Sequence, residues 1–183
     1  MRKKIFVVAL MAAVAAFATS AMAASVHFKK GGTPQCTISG TGTTDVSTTC
    51  TGVVAGLGGG DVDIVVTTSG FAVYTCTNNG GNDAAGQNRV LTGPETTPTH
   101  ISGSEIKNGN LTFTTDAAVL SAAETVTGAE AGCPNPNWTG TDPQLTLTDI
   151  TLDFSQGGSL VFSCSASDPD GLSGTVTLSC TFA

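Results

Sequence analysis

The sequence predicts an all-β protein: a disulfide-bonded antiparallel β-sandwich of Ig-like or related Greek-key type, with about seven to nine strands. Three observations lead to this prediction. Short segments of alternating apolar and polar residues recur along the chain, and Gly, Asn, Pro or Asp bounds each one. Gly, Thr and Ser are abundant, whereas charged residues (11%) and aromatic residues (5%) are scarce. Six cysteines follow an N-terminal export signal.

The N-terminus has the features of a bacterial-type secretory signal peptide over residues 1–23. Three basic residues at positions 2–4 precede an apolar run from Ile5 to Phe17, and alanines at positions 21 and 23 suit a cleavage site before Ala24. The apolar run is too short to span a bilayer. We therefore expect residues 24–183 to form a single secreted β-sandwich domain in the periplasm or the extracellular medium, with no membrane span.

The charge balance excludes two classes of partner. The exported part holds four basic residues (Lys29, Lys30, Arg89 and Lys107) against all 14 acidic ones, so its net charge is near −10. Nucleic acids and anionic membrane surfaces both require a basic protein face. The sequence therefore favours a protein or glycan partner, or self-association, and it permits cation binding.

The six cysteines all lie in the exported part, and an even number in an exported chain indicates three disulfides. When the last two alternating segments form a hairpin with Cys164 opposite Cys180, the apolar pairs on either side also align, with Ala166 opposite Leu178 and Phe162 opposite Phe182. Two earlier cysteines flank a Gly/Thr turn in the same way. The expected pairs are Cys164–Cys180, Cys36–Cys50 and, by elimination, Cys76–Cys133, which closes a long loop worth about 4 kcal/mol in chain entropy.

The strand candidates follow one another at short spacing, with turn residues between them. They are Cys36 to Ser39, Val46 to Val54, Asp61 to Thr68, Phe71 to Thr77, Asn110 to Thr115, Gln144 to Phe154, Ser159 to Ala166 and Gly174 to Phe182, with Ile101 to Glu105 as a further edge. This spacing is typical of a sandwich or a barrel.

The candidate strand from Gln144 to Phe154 contains an irregularity. Its apolar residues occupy odd positions up to Leu147 and even positions from Ile150 onward. A regular strand cannot place both sets on one face of a sheet. We expect either a β-bulge near Thr148-Asp149 or a strand that crosses from one sheet to the other.

One segment of the exported part, Asp116 to Val126, has helical features. Asp116 suits a helix N-cap, and Val119, Leu120 and Ala123 would share one side. The β-branched residues near its end favour a strand instead, and both alternatives stay open.

Residues suited to catalysis are few. His100 has no nucleophile motif near it, and the paired carboxylates of Asp61 and Asp63 would lie on one solvated face of a strand. We therefore expect no enzymatic activity and no catalytic residue.

Two places suit a ligand. Asp168 and Asp170 lie in a Gly-bearing turn of the kind that binds calcium in extracellular β-domains, although Asp-Pro-Asp-Gly is already a sound turn sequence. Trp138, the only tryptophan, could stack on a sugar ring or pack against the Cys76–Cys133 disulfide. We expect no cofactor, with calcium at this turn as the alternative.

Apolar and polar residues alternate at both ends of the exported part. Val26 and Phe28 share one side near the N-terminus, and the last strand ends one residue after Phe182. The final strand is similar to that of chaperone–usher pilins, whose subunits assemble by strand addition. The short N-terminal alternation and the cysteine inside the last strand depart from that pattern. A pilin-like role, with strand exchange through Val26 and Phe28, is an alternative.

Three segments in the middle of the chain carry a resemblance: CTNNGGNDAAGQN (Cys76 to Asn88), SGSEIKNGNLTFT (Ser102 to Thr114) and CPNPNW (Cys133 to Trp138). They resemble a group of small, uncharacterised, secreted bacterial β-rich proteins. The resemblance implies an exported β-rich domain, no known activity and no catalytic residues. It also implies that the first and third segments meet in space, joined by the Cys76–Cys133 disulfide.

These observations favour a non-enzymatic structural or interaction protein of the extracellular space or cell envelope, which presents its surface on a rigid disulfide-bonded scaffold. The alternatives are a pilin-like subunit that assembles by β-strand addition and a carbohydrate- or calcium-binding module.

Overall fold

The computed structural model describes residues 25–183, which form two antiparallel β-sheets packed face to face as a sandwich. The predicted signal peptide, residues 1–23, lies outside the described residues. Within residues 25–183, no helix has the length and apolar character needed to cross a membrane. The all-β sandwich predicted from the alternating segments is confirmed.

The described residues form 13 strands, more than the seven to nine expected, because several strands are only two to four residues long. In chain order they are β1 (His27–Phe28), β2 (Gln35–Ser39), β3 (Asp45–Ala55), β4 (Val62–Thr77), β5 (Asp83–Ala85), β6 (Val90–Ile101), β7 (Asn110–Thr114), β8 (Ala118–Ser121), β9 (Val126–Thr127), β10 (Thr139–Gln156), β11 (Ser159–Ser167), β12 (Gly174–Thr177) and β13 (Ser179–Phe182). A 3-10 helix (Gly103–Glu105) and a short helix α1 (Gly128–Ala131) complete the list.

Each sheet is organised around its long strands. In the first sheet, β3 pairs with β2 and β1 on one side and with β7 and β8 on the other, and β12 lies outside β2. In the second sheet, β4 and β10 pair along almost their whole length. Strands β6 and β5 extend this sheet beyond β4, and β11 and β13 extend it beyond β10, while β9 pairs with the start of β10.

The parity change in β10 is a β-bulge, one of the two outcomes expected. The register against β4 shifts between Leu147 and Asp149, so that Thr148 is the extra residue. The shift lets the apolar residues on both sides of the bulge point into the sandwich. All five are fully buried: Leu145, Leu147, Ile150, Leu152 and Phe154. Burial of each such side chain contributes about 1.5–3 kcal/mol.

Five phenylalanines link the two sheets at one end of the sandwich. Phe154 and Phe162 stack with ring centroids 4.6 Å apart, and Phe28 meets Phe162 edge to face at 4.9 Å. Phe113 lies 5.8 Å from Phe154, and Phe182 lies 5.0 Å from Phe28. Since Phe28 and Phe113 come from the first sheet and the others from the second, this aromatic cluster is a contact between the two layers.

The structure forms the three disulfides that were expected. Cys36–Cys50 joins directly opposed residues of β2 and β3, and Cys164–Cys180 joins directly opposed residues of β11 and β13. Cys76–Cys133 joins β4 to the segment after α1, with its Cα atoms 5.6 Å apart. No cysteine in the described part of the chain is free. Three disulfides indicate an oxidising compartment outside the cytoplasm.

The last predicted strand, Gly174 to Phe182, is two strands in different sheets. Strand β12 pairs with β2 in the first sheet, and β13 pairs with β11 in the second. The change occurs at Leu178, whose N–H donates to the Pro34 carbonyl and whose side chain is buried. The expected contact of Ala166 with Leu178 therefore does not form part of the β11–β13 ladder, which ends at Ser179.

The helix considered for Asp116 to Val126 does not form. Residues 118–121 are strand β8, in which Ala118 and Leu120 are buried while Val119 is exposed. These residues form a strand because they pair with β3. A strand buries Leu120 and exposes its neighbour Val119, whereas a helix would place both residues on one side.

The local sequence does not predict strand β6, whose residues include two prolines. Proline cannot donate to a ladder, so it is confined to edge strands, and β6 pairs only with β4. Gly93-Pro94 is a cis peptide bond inside it. The further edge expected at Ile101 to Glu105 is instead the end of β6 followed by the 3-10 helix.

Candidate binding groove around Trp138

A short helix with complete capping forms one wall of a groove at the end of the second sheet. The backbone N–H of Glu130 donates to Thr127 Oγ1 at 3.2 Å, and the backbone N–H of Thr127 donates to Glu130 Oε2 at 3.0 Å. This is a capping box, which satisfies donors at both ends of the first turn. Gly132 ends the helix in the left-handed conformation at φ 66°.

The loop from Cys76 to Asn88 binds the C-terminal end of this helix through hydrogen bonds. Ala131 accepts the backbone N–H groups of Gln87 and Asn88 at 3.0 and 3.1 Å, and the Asn88 side chain donates to the Glu130 carbonyl at 3.0 Å. The Cys76–Cys133 disulfide joins the same two segments covalently. The CTNNGGNDAAGQN and CPNPNW segments therefore meet through α1.

The hydrogen-bonding groups at the tip of the same loop bond to one another. Asn78 Oδ1 accepts the backbone N–H groups of Gly80 and Asn82 at 2.8 and 3.0 Å. These bonds form a self-contained turn of the Asx type. The loop thus serves as a stapled support for α1.

The segment after the disulfide carries Trp138 into the groove. The backbone N–H of Trp138 donates to the Asn135 carbonyl at 3.0 Å, and that of Asn137 donates to Asn135 Oδ1 at 2.9 Å. This turn lies directly over Gly128, where an added Cβ would meet the Trp138 carbonyl and stand 3.0 Å from the Asn135 carbonyl. The turn can therefore approach α1 this closely only because residue 128 has no side chain.

The groove is open to solvent and has a volume of about 600 Å³. Trp138 is half-buried and packs against the core, while Glu130 and the threonines at the rim are exposed. The lining residues are Ala123, Thr125, Val126, Thr127, Glu130, Pro136, Trp138 and Thr139. The walls thus combine an aromatic face, apolar surface, hydroxyl groups and one carboxylate.

Two groups at or beside the groove have shifted pKa values, the carboxyl group of Glu130 and the hydroxyl group of Tyr74. Hydrogen bonds from the Thr127 side chain and backbone lower the pKa of Glu130, so the carboxylate is ionised at neutral pH. Tyr74 is buried and donates its hydroxyl to the Ala123 carbonyl at 2.8 Å. Burial, together with the charge of Glu130, raises the pKa of Tyr74. No basic residue lines the groove.

The two aspartates considered for calcium form a turn. Asp168 Oδ1 accepts the backbone N–H of Asp170 at 2.9 Å, and the Asp168 carbonyl accepts that of Gly171 at 3.1 Å. The guanidinium of Arg89 lies over the Phe71 ring and donates to the Pro169 carbonyl at 3.2 Å. Across residues 25–183, no cluster of three or more His, Cys, Asp or Glu side chains could hold a metal ion. Calcium binding at this turn stays a prediction.

The other residues singled out in the sequence lie elsewhere on the sandwich. His100 and Asp63 form an exposed cross-strand pair, with Nδ1 and Oδ1 2.7 Å apart, and this hydrogen bond raises the pKa of His100. Phe28 pairs in β1 with β3 of the same chain and joins the aromatic cluster, and Val26 is half-buried beside it. The structure brings none of these residues into the groove.

Of these groove residues, the sequence predicted a ligand contact for Trp138 but not for Glu130 or Thr127. Thr127-x-x-Glu130 is a capping-box pattern and was a usable signal for a helix start. Comparison of the chain with models of known protein families finds no match, and comparison with curated proteins finds none either.

Proposed function

We propose that this protein is a non-enzymatic extracellular interaction protein that binds neutral carbohydrate in the Trp138 groove. The observation that carries the proposal is the position of Trp138: this half-buried residue lines an open groove together with threonine residues and the ionised Glu130. The three disulfides support an extracellular setting, because such bonds persist in oxidising compartments.

The lining chemistry matches a sugar ring. An aromatic face packs against the apolar C–H face of a pyranose, while carboxylate and hydroxyl oxygens accept and donate hydrogen bonds to its hydroxyl groups. The ionised Glu130 and the net charge near −10 disfavour anionic sugars.

Rigidity of the wall supports binding over catalysis. The capping box, the Asn88 contacts and the Cys76–Cys133 disulfide all hold the segment that presents Trp138 and Glu130. A preorganised wall loses little conformational entropy when a ligand binds. One carboxylate held in a capping box has no second carboxylate opposite it in the lining, as glycoside hydrolysis requires.

The test uses the single tryptophan as its own reporter. We expect the emission of Trp138 to change on titration with one of a panel of neutral oligosaccharides of glucose, mannose, galactose and N-acetylglucosamine. Calorimetry with the same sugar should then show at least about tenfold weaker binding for Trp138→Ala, since loss of one stacking contact is worth about 1.5 kcal/mol. Leu91→Ala, at an exposed apolar residue of β6 outside the groove, is the matched control.

Two results would overturn the proposal. One is that no sugar of the panel binds at millimolar concentration. The other is that a sugar binds with equal affinity to the wild-type protein and to Trp138→Ala, which would place the site elsewhere.

A further inference from the structure

We propose that the outer face of the first sheet binds ice. This face carries threonine side chains in regular rows, and its ligand is the ordered water of an ice surface. It lies on a different sheet from the Trp138 groove, so ice binding and carbohydrate binding are independent of each other.

Four strands of the first sheet supply the threonines. Buried residues alternate with outward-facing ones in each strand, so a Thr-x-Thr sequence places both of its threonines on the outer face. Strands β3, β7 and β12 each contain such a sequence, and β2 adds one further threonine. The threonine array consists of Thr37, Thr49, Thr51, Thr112, Thr114, Thr175 and Thr177.

Strand pairing aligns these side chains across the sheet. One row of directly paired residues consists of Thr175, Thr37 and Thr49. The next row consists of Thr177, Gln35, Thr51 and Thr114. Neighbours within a row are about 4.8 Å apart, and successive rows are about 6.8 Å apart. Both distances are close to the oxygen repeats on the prism faces of ice, so the array can contact many lattice positions at once.

Threonine side chains suit a surface of ordered water. Each hydroxyl group can donate and accept hydrogen bonds as a water molecule does, while the methyl group leaves neighbouring water molecules to bond to one another. Among the described residues, the only side-chain hydrogen bond within the array is the one that Thr177 accepts from Gln35 Nε2 at 3.3 Å. The other hydroxyl groups of the array are therefore available to water.

Charge is nearly absent from this face, although the exported part has a net charge near −10. Asp45, at the start of β3, is the only charged residue of the four strands. The outer face of the second sheet also carries Ser and Thr, but it includes Asp63 and Asp153. The β-propensity of threonine accounts for its presence on both faces but not for the exclusion of charge from one. Because a charged group orients water around itself and disturbs the ice lattice, this exclusion favours ice as the ligand.

Other ligands match this face poorly. The outward positions of the four strands hold no aromatic side chain that could stack on a sugar ring and no basic residue that could bind an anionic polymer. Val53 is their one large apolar side chain, and it is half-buried. The Cys36–Cys50 disulfide joins β2 directly to β3 beneath the array, so the face is preorganised for a rigid surface.

Ice growth in the presence of the oxidised protein tests the proposal. We expect a single ice crystal in a nanolitre osmometer to show a gap between its melting and freezing temperatures and to grow with facets. We also expect the protein to be enriched in ice that grows slowly from its solution.

Thr37→Lys is the decisive variant, because it places a long charged side chain between Thr175 and Thr49. Thr37 is exposed, so the fold should persist, and we expect the variant to lose most of the temperature gap and of the enrichment in ice. Thr175→Lys, at an exposed position of the edge strand β12, repeats the test if Thr37→Lys does not fold. Thr96→Lys, exposed on the outer face of the second sheet, is the matched control and should behave like the wild type.

Three results would overturn ice binding by this face. The first is a wild-type protein that shows neither a temperature gap nor enrichment in ice at millimolar concentration. The second is equal activity in the wild type and in a folded lysine variant of the array. The third is an equal loss in Thr96→Lys or in Trp138→Ala, which would assign the effect to another surface.

Discussion

Asp149 shows how single side chains stabilise the irregular point of the longest strand. It follows the extra residue of the β10 bulge and accepts the hydroxyl of Thr148 at 2.6 Å and that of Ser167 at 2.7 Å. These hydrogen bonds lower its pKa, the Thr148 bond most. The backbone N–H of Asp168 donates to the Thr148 carbonyl at 2.9 Å, so the bulge also ties β10 to the turn after β11.

We predict that Asp149→Asn lowers the free energy of unfolding by about 1 kcal/mol at pH 7, because hydrogen bonds to a charged acceptor are stronger than those to an amide. A carboxyl group whose pKa is lower when folded contributes stability above its unfolded pKa and loses it as pH falls through the folded pKa. The difference between variant and wild type should therefore shrink below about pH 4.

Denaturant unfolding at several pH values from 7 to 3 measures this difference. Asp153→Asn is the control, since Asp153 lies on the same strand but accepts no side-chain hydrogen bond in the described chain. An Asp149→Asn loss that is equal at pH 7 and pH 3 would contradict the electrostatic explanation.

Contacts between residues were predictable from the sequence where they depend on which residues of two adjacent alternating segments share a face. Cys164 and Cys180 follow from two alternating segments around one turn, and the structure pairs them directly. The surroundings of Trp138 were not predictable, because Tyr74 and Asn88 approach the groove from distant parts of the chain. Nothing in the local sequence of Trp138 specifies those contacts.

Among the elements, β6 and β8 were not predicted as strands with certainty, because their local sequences lack the usual strand signals. Strand β6 lacks clear alternation and contains prolines, yet it pairs with the well-formed β4 for most of its length. The sequence of the β8 segment also suited a helix, but the segment forms a strand because it pairs with β3. In both cases the partner strand decides, and partners are not visible in the sequence of one element.

Helix α1 provides a prediction at this scale. An added Cβ at Gly128 would collide with the carbonyl groups of Trp138 and Asn135, so Gly128→Ala must shift the turn that carries Trp138. We expect a loss of about 1–3 kcal/mol in the free energy of unfolding, as for other overpacked sites, together with a shift of the Trp138 emission maximum. Thermal unfolding and fluorescence spectra measure the two effects.

The control for this change is Gly59→Ala. An added Cβ at Gly59 meets no atom within 4 Å, and the residue does not have positive φ. Gly59→Ala should leave both stability and Trp138 emission nearly unchanged. If Gly128→Ala behaves in the same way, the turn does not depend on close approach to α1.

At the scale of the whole molecule, the fold class followed from composition, turn residues and alternation, because these determine which faces can be buried. The order of strands did not follow. The chain passes from β12 in the first sheet to β13 in the second sheet at Leu178, and β1 pairs with β3. Such choices are made by long-range contacts.

The three disulfides have unequal consequences for this sandwich. Cys36–Cys50 closes a separation of 14 residues between strands that already pair, whereas Cys76–Cys133 closes 57 residues and attaches the groove wall to β4. Loop-closure entropy predicts losses of about 3 kcal/mol and about 4 kcal/mol when each is replaced by two alanines. Guanidinium unfolding of the two double variants, followed by circular dichroism, measures these losses.

The Trp138 emission of the folded variants separates the two disulfides further. Removal of Cys76–Cys133 should change it, because the turn at Asn135 then relies on α1 alone, whereas removal of Cys36–Cys50 should not. Equal spectra for both variants would mean that the capping box and the Asn88 contacts are sufficient to hold the wall. In that case, Cys76–Cys133 would stabilise the sandwich as a whole and would have no specific effect on the groove.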